Sequence, residues 1–250
     1  MAYTLYCAPD NASFIVRMAL EEMGLPYESR WVDRSQGEQS SPTFLGLNPQ
    51  GLLPVLVSDD LREPLFETGA ILLWLAQKHQ ALWPEQAAET GAALKWLFFL
   101  SNTLHADLRA LFYTHRYLPD ARLVPPLREG LRGRVIKHFA LLDREIAERG
   151  GPWLLGQTFT VCDLYAAMCA RWARLYPLGD AMPQDAFNSL VQVSALATHI
   201  ENRPAVRKAL ALEGLTQPDG ACFSAPRVPQ ARLQAITGTA DAPVPPPDTR

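Results

Sequence analysis

Three short stretches in the first eighty residues carry side chains that could act on a ligand. In LYCAPDNASFIVRMALEE, Leu5 to Glu22, a strand runs into a polar turn and then a helix, with Cys7, Asn11 and Ser13 around the junction. The unpaired N–H groups and dipole of a helix N-terminus stabilise a thiolate held there. In LLPV, Leu53 precedes a proline, which holds it extended, and Pro54 has no N–H to give to a ladder. Were that bond cis, the Leu53 N–H and C=O would point outward, free to pair with an extended, peptide-like ligand. In FETGAILL, Glu67 and Thr68 fall at a helix start, which favours a ligand carboxylate, while Glu67 could meet an ammonium. Together they suit the zwitterionic end of an amino acid, although Thr68 would serve equally well as an N-cap.

The elements that must position these groups follow from periodicity. Tyr3–Cys7 is a short apolar run, Ser13–Gly24 has helical spacing, and LPYESRWVD is β-rich. SPTFLGLNPQG reads as a brief helical turn, LPVLVSDD and EPLFE as two strands, and TGAILLWLAQKH as an amphipathic helix. The order βαβ then ββα specifies a small mixed sheet covered by helices. From Trp83 onward strand signals fade. Leu97, Leu100, Leu104, Leu108 and Leu111 recur at three and four residues, the buried face of a helix, and further helices are expected across 121–149, 161–176, 189–203 and 204–213. Thr160 and Asp163 form a capping box for one of them, a folding role. The fold class is therefore an α/β N-terminal domain, residues 1–80, followed by an all-α helical bundle, 85–215. A Pro-rich tail, 216–250, is expected to be partly disordered, because it has too few apolar residues to offset its ordering entropy.

Composition excludes several functions. A net charge of −3 in 250 residues, with no Lys/Arg block, argues against nucleic acid. The opening MAYTLYCAPD is not a leader, and the most apolar stretch is interrupted by Lys95, Asn102, His105 and Asp107, so a soluble cytoplasmic protein without membrane contact is expected. Four cysteines, Cys7, Cys162, Cys169 and Cys222, form no C-x-x-C pair and no metal-ligand pattern, so neither disulfides nor a bound metal is expected. Cys7 lies inside the strand and reads as packing.

The conjunction of the three stretches, in that order, resembles the glutathione S-transferase family. LYCAPDNASFIVRMALEEMGLPYE, SPTFLGLNPQGLLPVL and LFETGAILLWLA look like its thioredoxin-like half. GGPWLLGQTFTVCDLYAA resembles its helix-capping segment and RPAVRKALALEGL its final helix, so that the likeness runs over residues 3–215. The resemblance implies glutathione as co-substrate, with Leu53 before a cis Pro54 pairing with the cysteinyl part and Glu67 and Thr68 holding the γ-glutamyl group. It also implies a homodimer and a role in detoxification. Where many relatives carry cations for the glycyl carboxylate, this chain has Leu52 and Ser40, with Gln39 as a substitute.

No cysteine stands at positions 11 to 13, so the thiolate would be glutathione's own, held by hydroxyl or amide donors and backbone N–H groups. Ser13 is the first choice for this role and Asn11 the second. Phe98, Asn102, His105, Arg109, Phe112 and Arg116 fall on one helical stripe that could line a second-substrate cleft for a small hydrophobic electrophile, with Tyr113 beside it. His105 matches a histidine that beta-class relatives direct at the cleft. The implied activity is glutathione transfer. The alternatives are glutathione-dependent disulfide reduction and a non-catalytic binding module of the same fold.

Overall fold

The computed structural model describes residues 3–216 and 221–224. The N-terminal unit is a four-stranded sheet of β1 (Tyr3–Cys7), β2 (Tyr27–Trp31), β3 (Val55–Ser58) and β4 (Leu65–Phe66), in the spatial order β2-β1-β3-β4. β1 and β2 run parallel, with Tyr3 opposite Tyr27 and Cys7 opposite Trp31. β3 is antiparallel to β1, and β4 to β3. Alternation along β1 sends Tyr3, Leu5 and Cys7 into the main core beneath α1 (Ser13–Glu22). Tyr6 faces the other side, where it packs with Val32, Val55 and Phe44 of the short α2 (Pro42–Leu45).

Helix α3 (Thr68–His79) closes this unit and rests on the second, helical one. There α4 (Ala87–Phe99) continues through a wide π turn, Leu100–Leu104, into α5 (His105–Phe112). The long α6 (Val124–Arg149), the central α7 (Val161–Leu175), α8 (Val191–Glu201) and α9 (Pro204–Leu212) follow. The leucine face expected across α4 and α5 is buried along its whole length. Every residue of α7 is buried, and its start is the expected capping box. Asp163 accepts the N–H groups of Leu154 and Thr160, both at 2.7 Å. Burial nevertheless pushes its carboxyl up to about 6, against the pull of those bonds.

One expectation changes here. The single helix expected for the stripe from Phe98 to Arg116 is instead α4, a π turn and α5, which ends at Phe112. Phe98 is 55% exposed on the outside, and Arg116 lies in a 3-10 turn beyond α5. Most of the segment 216–250 lies outside the described residues, but Cys222 and Phe223 are buried in the core, Phe223 stacked at 6.3 Å on Phe14 of α1. This part of the tail is packed structure, because Arg171 and Arg174 of α7 donate to the Cys222 and Phe223 carbonyls at 2.8 and 2.9 Å. Among the described residues no helix is long and apolar enough to cross a membrane.

Candidate functional site

The first turn, Asp10–Ser13, is fixed from behind. Asp10 leaves the strand with φ 52°, and its carboxylate is fully buried, accepting both arms of Arg171 at 3.0 and 2.9 Å and the Tyr176 hydroxyl at 2.9 Å. Its N–H donates to Glu213 at 2.9 Å, and Glu213 in turn pairs at 2.9 Å with Arg17, one helical turn into α1. Arg17 also donates to the Tyr27 and Ser29 hydroxyls and to the Cys7 sulfur. Two fully desolvated ion pairs from the helical unit therefore meet at one turn of the sheet unit. In the low local dielectric each charge needs its partner, which ties the turn to α7 and to the end of α9.

Within this frame Ser13 and Asn11 part company. The Ser13 hydroxyl is completely buried and loops back to the Ala8 carbonyl and N–H, both at 3.2 Å. The expectation that it faces the ligand is corrected, since its hydrogen-bonding capacity serves the backbone of the strand end. Asn11 is half-buried, and its Oδ1 is buried with no partner among the described residues. The Asn11 and Ala12 carbonyls accept the N–H groups of Phe14 and Ile15 at 2.8 and 3.2 Å. The N–H groups of residues 11 to 13, which precede the first of these bonds, are the unpaired donors of a helix start.

No thiol of the protein can replace a ligand's. All four cysteines are buried and unpaired. Burial pushes Cys7 up to about 12 and Cys222 to about 11, and it raises Cys162 and Cys169 as well.

The Leu53–Pro54 bond is cis. The loop before it is templated by the buried Asn48, whose side chain donates to the Leu52 carbonyl at 2.9 Å and accepts the Gln50 N–H at 3.0 Å. Gly51 has φ 64°, and a Cβ there would stand 3.0 Å from the Gln39 carbonyl, so glycine lets Gln39 pack on the loop. The Gln39 Oε1 is buried without a partner among the described residues. Across from Leu53, Glu67 takes the N-cap place of α3 with φ 70°, and Thr68 is the first helical residue, not the cap. Glu67 is exposed and accepts from the Gln50 amide at 3.1 Å. The N–H groups of residues 68 to 70 precede the first intrahelical bond, Ile71 N–H to the Glu67 carbonyl, and are free for a carboxylate.

The helical unit faces both turns. His105 bonds the Tyr165 hydroxyl at 2.8 Å and lies 4.9 Å from the Trp172 ring, and Thr68 reaches the same phenol. Burial, with Arg109 nearby, pushes the imidazole down to about 4, so it is neutral at physiological pH. Phe112 meets Tyr176 at 5.7 Å, the tyrosine that bonds Asp10. Thus His105 stands behind the α3 start and Phe112 behind the α1 start, with the exposed Arg109 between them along α5. Tyr113 bonds Arg34 of the β2–α2 loop at 3.3 Å.

Asp10, Arg17, Arg171, Tyr176 and Glu213 were not singled out by sequence reasoning. The available signal was an arginine inside an otherwise apolar run, in FIVRMAL and again in AAMCARWARL, a placement that requires a buried partner.

A sheet with a cis-proline loop and two helix starts, backed by an all-helical unit, is a thioredoxin-like domain joined to a helical bundle. The model of the glutathione S-transferase N-terminal domain matches residues 12–78, and that of the C-terminal domain matches residues 107–212. The chain belongs to the glutathione S-transferase family. It is similar to the disulfide-bond oxidoreductase YfcG of Escherichia coli (strain K12), with 29% identity over 177 residues, 69% of this chain and 79% of that protein. It is also similar to glutathione S-transferase GST-4.5 of Xanthomonas campestris pv. campestris, with 30% identity over 172 residues, 68% and 81% of the two chains. A glutathione transferase family member from Pseudomonas fluorescens pf-5, solved with two glutathione bound, superposes with a TM-score of 0.72 at 25% identity, covering 83% of this chain and 92% of that one.

Proposed function

We propose that the protein is a cytoplasmic glutathione transferase in which Asn11 and the N–H groups of the α1 start hold the thiolate of glutathione for attack on a small electrophile. The observation that carries this reading is the contrast at the first turn: no protein thiol is available, Ser13 is turned inward, and Asn11 is half-exposed, with an amide NH2 that can donate to a thiolate. Leu53 pairs with the cysteinyl backbone, Glu67 with the γ-glutamyl ammonium, and the α3 start with its carboxylate. The thiolate sulfur forms a bond to the electrophilic carbon, and the leaving group departs with its electron pair. Donors that stabilise the thiolate lower the thiol pKa towards neutrality, which raises the reactive fraction at pH 7. Four unpaired cysteines suit a reducing compartment, and a homodimer is what the family resemblance implies.

Disulfide reduction is the second reading, favoured by the name of the Escherichia coli relative. In that case a glutathione thiolate attacks one sulfur of the substrate disulfide and the other leaves as thiolate, and a second glutathione thiolate then attacks the glutathione sulfur of the mixed disulfide, releasing the second substrate thiolate and glutathione disulfide with no protein cysteine needed. Calorimetry with glutathione and with its disulfide, followed by aryl-halide conjugation and disulfide-reduction assays, tests both. Asn11→Ala is expected to lower kcat/KM by about tenfold or more and to raise the pKa of the bound thiol. Ser13→Ala is expected to cost about 1–3 kcal/mol of stability by stranding Ala8, with turnover per folded molecule unchanged. Absence of binding by either ligand would sink both catalytic readings, and binding without turnover would make the protein a binding module.

A further inference from the structure

Behind the first turn, three buried charged side chains close on one short piece of chain. Residues 222–224 form a bend against α7 and α8. Glu201, which ends α8, accepts the Cys222 N–H, the Phe223 N–H at 3.4 Å and the Ser224 hydroxyl at 3.3 Å. From α7, Arg171 donates to the Cys222 carbonyl at 2.8 Å and Arg174 to the Phe223 carbonyl at 2.9 Å. Two successive N–H groups thus converge on one carboxylate, as in an anion-binding nest, while the carbonyls of the same two residues meet guanidinium groups.

Charges this deep ordinarily pair with one another. Arg171 does so with Asp10, and Arg17 with Glu213. Glu201 and Arg174 are only 5% and 8% exposed, yet neither has an ion-pair partner among the described residues. There the hydrogen bonds of the Glu201 carboxylate all go to residues 222–224, and beyond Phe223 Arg174 reaches only the Ser194 hydroxyl, at 3.0 Å, and the Phe187 ring. A desolvated charge is stable where peptide dipoles replace its water, and this bend supplies them to both. The bend is also joined to the first turn. The Arg171 guanidinium holds Asp10 with two of its nitrogens and the Cys222 carbonyl and sulfur with the third, and Phe223 stacks on Phe14, next to Ser13.

We propose that α7 and α8 form a peptide-binding groove and that residues 222–224 occupy it as an internal ligand, latching the turn at residues 10–13. Glu201, Arg171 and Arg174 read the peptide backbone, and the space against Phe14 takes one aromatic side chain. With the segment seated, Arg171 is dry and its pair with Asp10 is at full strength. With the segment out, water reaches Arg171, the pair weakens, and the turn opens more often. The latch stands apart from the glutathione reading, since its contacts involve none of Asn11, Leu53, Glu67 and Thr68.

The test is amide hydrogen exchange on the full chain, read at the turn 10–13 and, as a reference, at β3. Two variants weaken the latch: Phe223→Ala removes its aromatic anchor, and Glu201→Gln keeps the shape of the groove but not its charge. Exchange at the turn is expected to rise about tenfold in Phe223→Ala and less in Glu201→Gln, with β3 unchanged, as a local opening requires. A synthetic peptide of residues 219–226, added at roughly millimolar concentration to match a tethered segment, should restore protection in Phe223→Ala. The same peptide with alanine in place of its phenylalanine should not. A rise at β3 as large as at the turn makes the segment ordinary core and overturns the latch. Unchanged exchange at the turn, or no restoration by the peptide, overturns it as well. If neither variant folds, the wild type decides: its Cys222 and Phe223 amides should exchange at least about tenfold faster than those of β3, and exchange at the β3 rate overturns the latch.

Discussion

Asp10 and Glu67 leave the sheet in the same way, each an acidic residue with positive φ, 52° and 70°, just ahead of a helix. Their surroundings are opposite. The Asp10 carboxylate is sealed between Arg171 and Tyr176, and its N–H is taken by Glu213. The Glu67 carboxylate faces solvent with one contact, the Gln50 amide. The acidic group is consumed by folding at the first turn and uncommitted to any cation at the second. A helix start offers unpaired donors in either case, so what separates a structural turn from a binding turn is whether its side chain's charge is already satisfied.

The largest effect should come from opening the sealed turn. Arg171→Met strands a buried carboxylate, and the expected loss is about 3–5 kcal/mol in urea denaturation. Gln50→Ala at the open turn, which removes one exposed contact, should stay within about 0.5 kcal/mol. The comparison breaks if the two losses are alike.

A second test addresses what lies behind the open turn. The His105 imidazole is held down to about 4 from an ordinary 6.5, chiefly by burial. Between those values the unfolded chain takes up a proton that the folded chain refuses, so His105 costs stability as pH falls from 6.5 towards 4. Asp163 and Glu213, pushed up to about 6 and about 7 by burial, act in the opposite direction, because the folded state keeps their protons as pH rises. The difference between the wild type and His105→Gln isolates the histidine. Between pH 7 and pH 5 the wild type should lose on the order of 2 kcal/mol relative to the variant, read from urea midpoints at each pH. Parallel pH profiles would show that the imidazole is hydrated and that the α3 start is not backed by a dry wall.

What the sequence made legible divides along the same line. Helix α3 coincides with the run TGAILLWLAQKH, the leucine face of α4 and α5 is buried as its spacing requires, and Thr160 and Asp163 cap α7. Each is a local pattern, fixed by period or by a three-residue box. The cis Leu53–Pro54 bond was legible only as a condition, and the structure meets it. Arg171 and Asp10 are 161 residues apart, and no periodicity connects them. The inward turn of Ser13 depends on where the Ala8 backbone runs, and the burial of Phe223 depends on Arg174 and Phe14 together. The π turn of α4 arises within a leucine pattern that an unbroken helix satisfies equally well.

The smallest effect is also the sharpest, because stability and binding should move in opposite directions. Glu67 holds φ 70° and ψ 116°, a backbone region that side chains with a Cβ occupy at a cost of roughly 1–3 kcal/mol and that glycine, without a Cβ, occupies at a lower one. Glycine's greater freedom in the unfolded chain offsets part of that gain. Glu67→Gly should therefore stabilise the fold by about 0.5–1 kcal/mol in urea denaturation. The same change deletes the carboxylate assigned to the γ-glutamyl ammonium, so glutathione should bind about tenfold more weakly by calorimetry, the loss of one charge-assisted hydrogen bond. Glu67→Gln separates the two contributions: it retains the strain and removes only the charge, so it should weaken binding with little change in stability. A Glu67→Gly protein that is more stable and binds glutathione as before would mean that the second turn, like the first, uses its acidic residue for something other than the ligand.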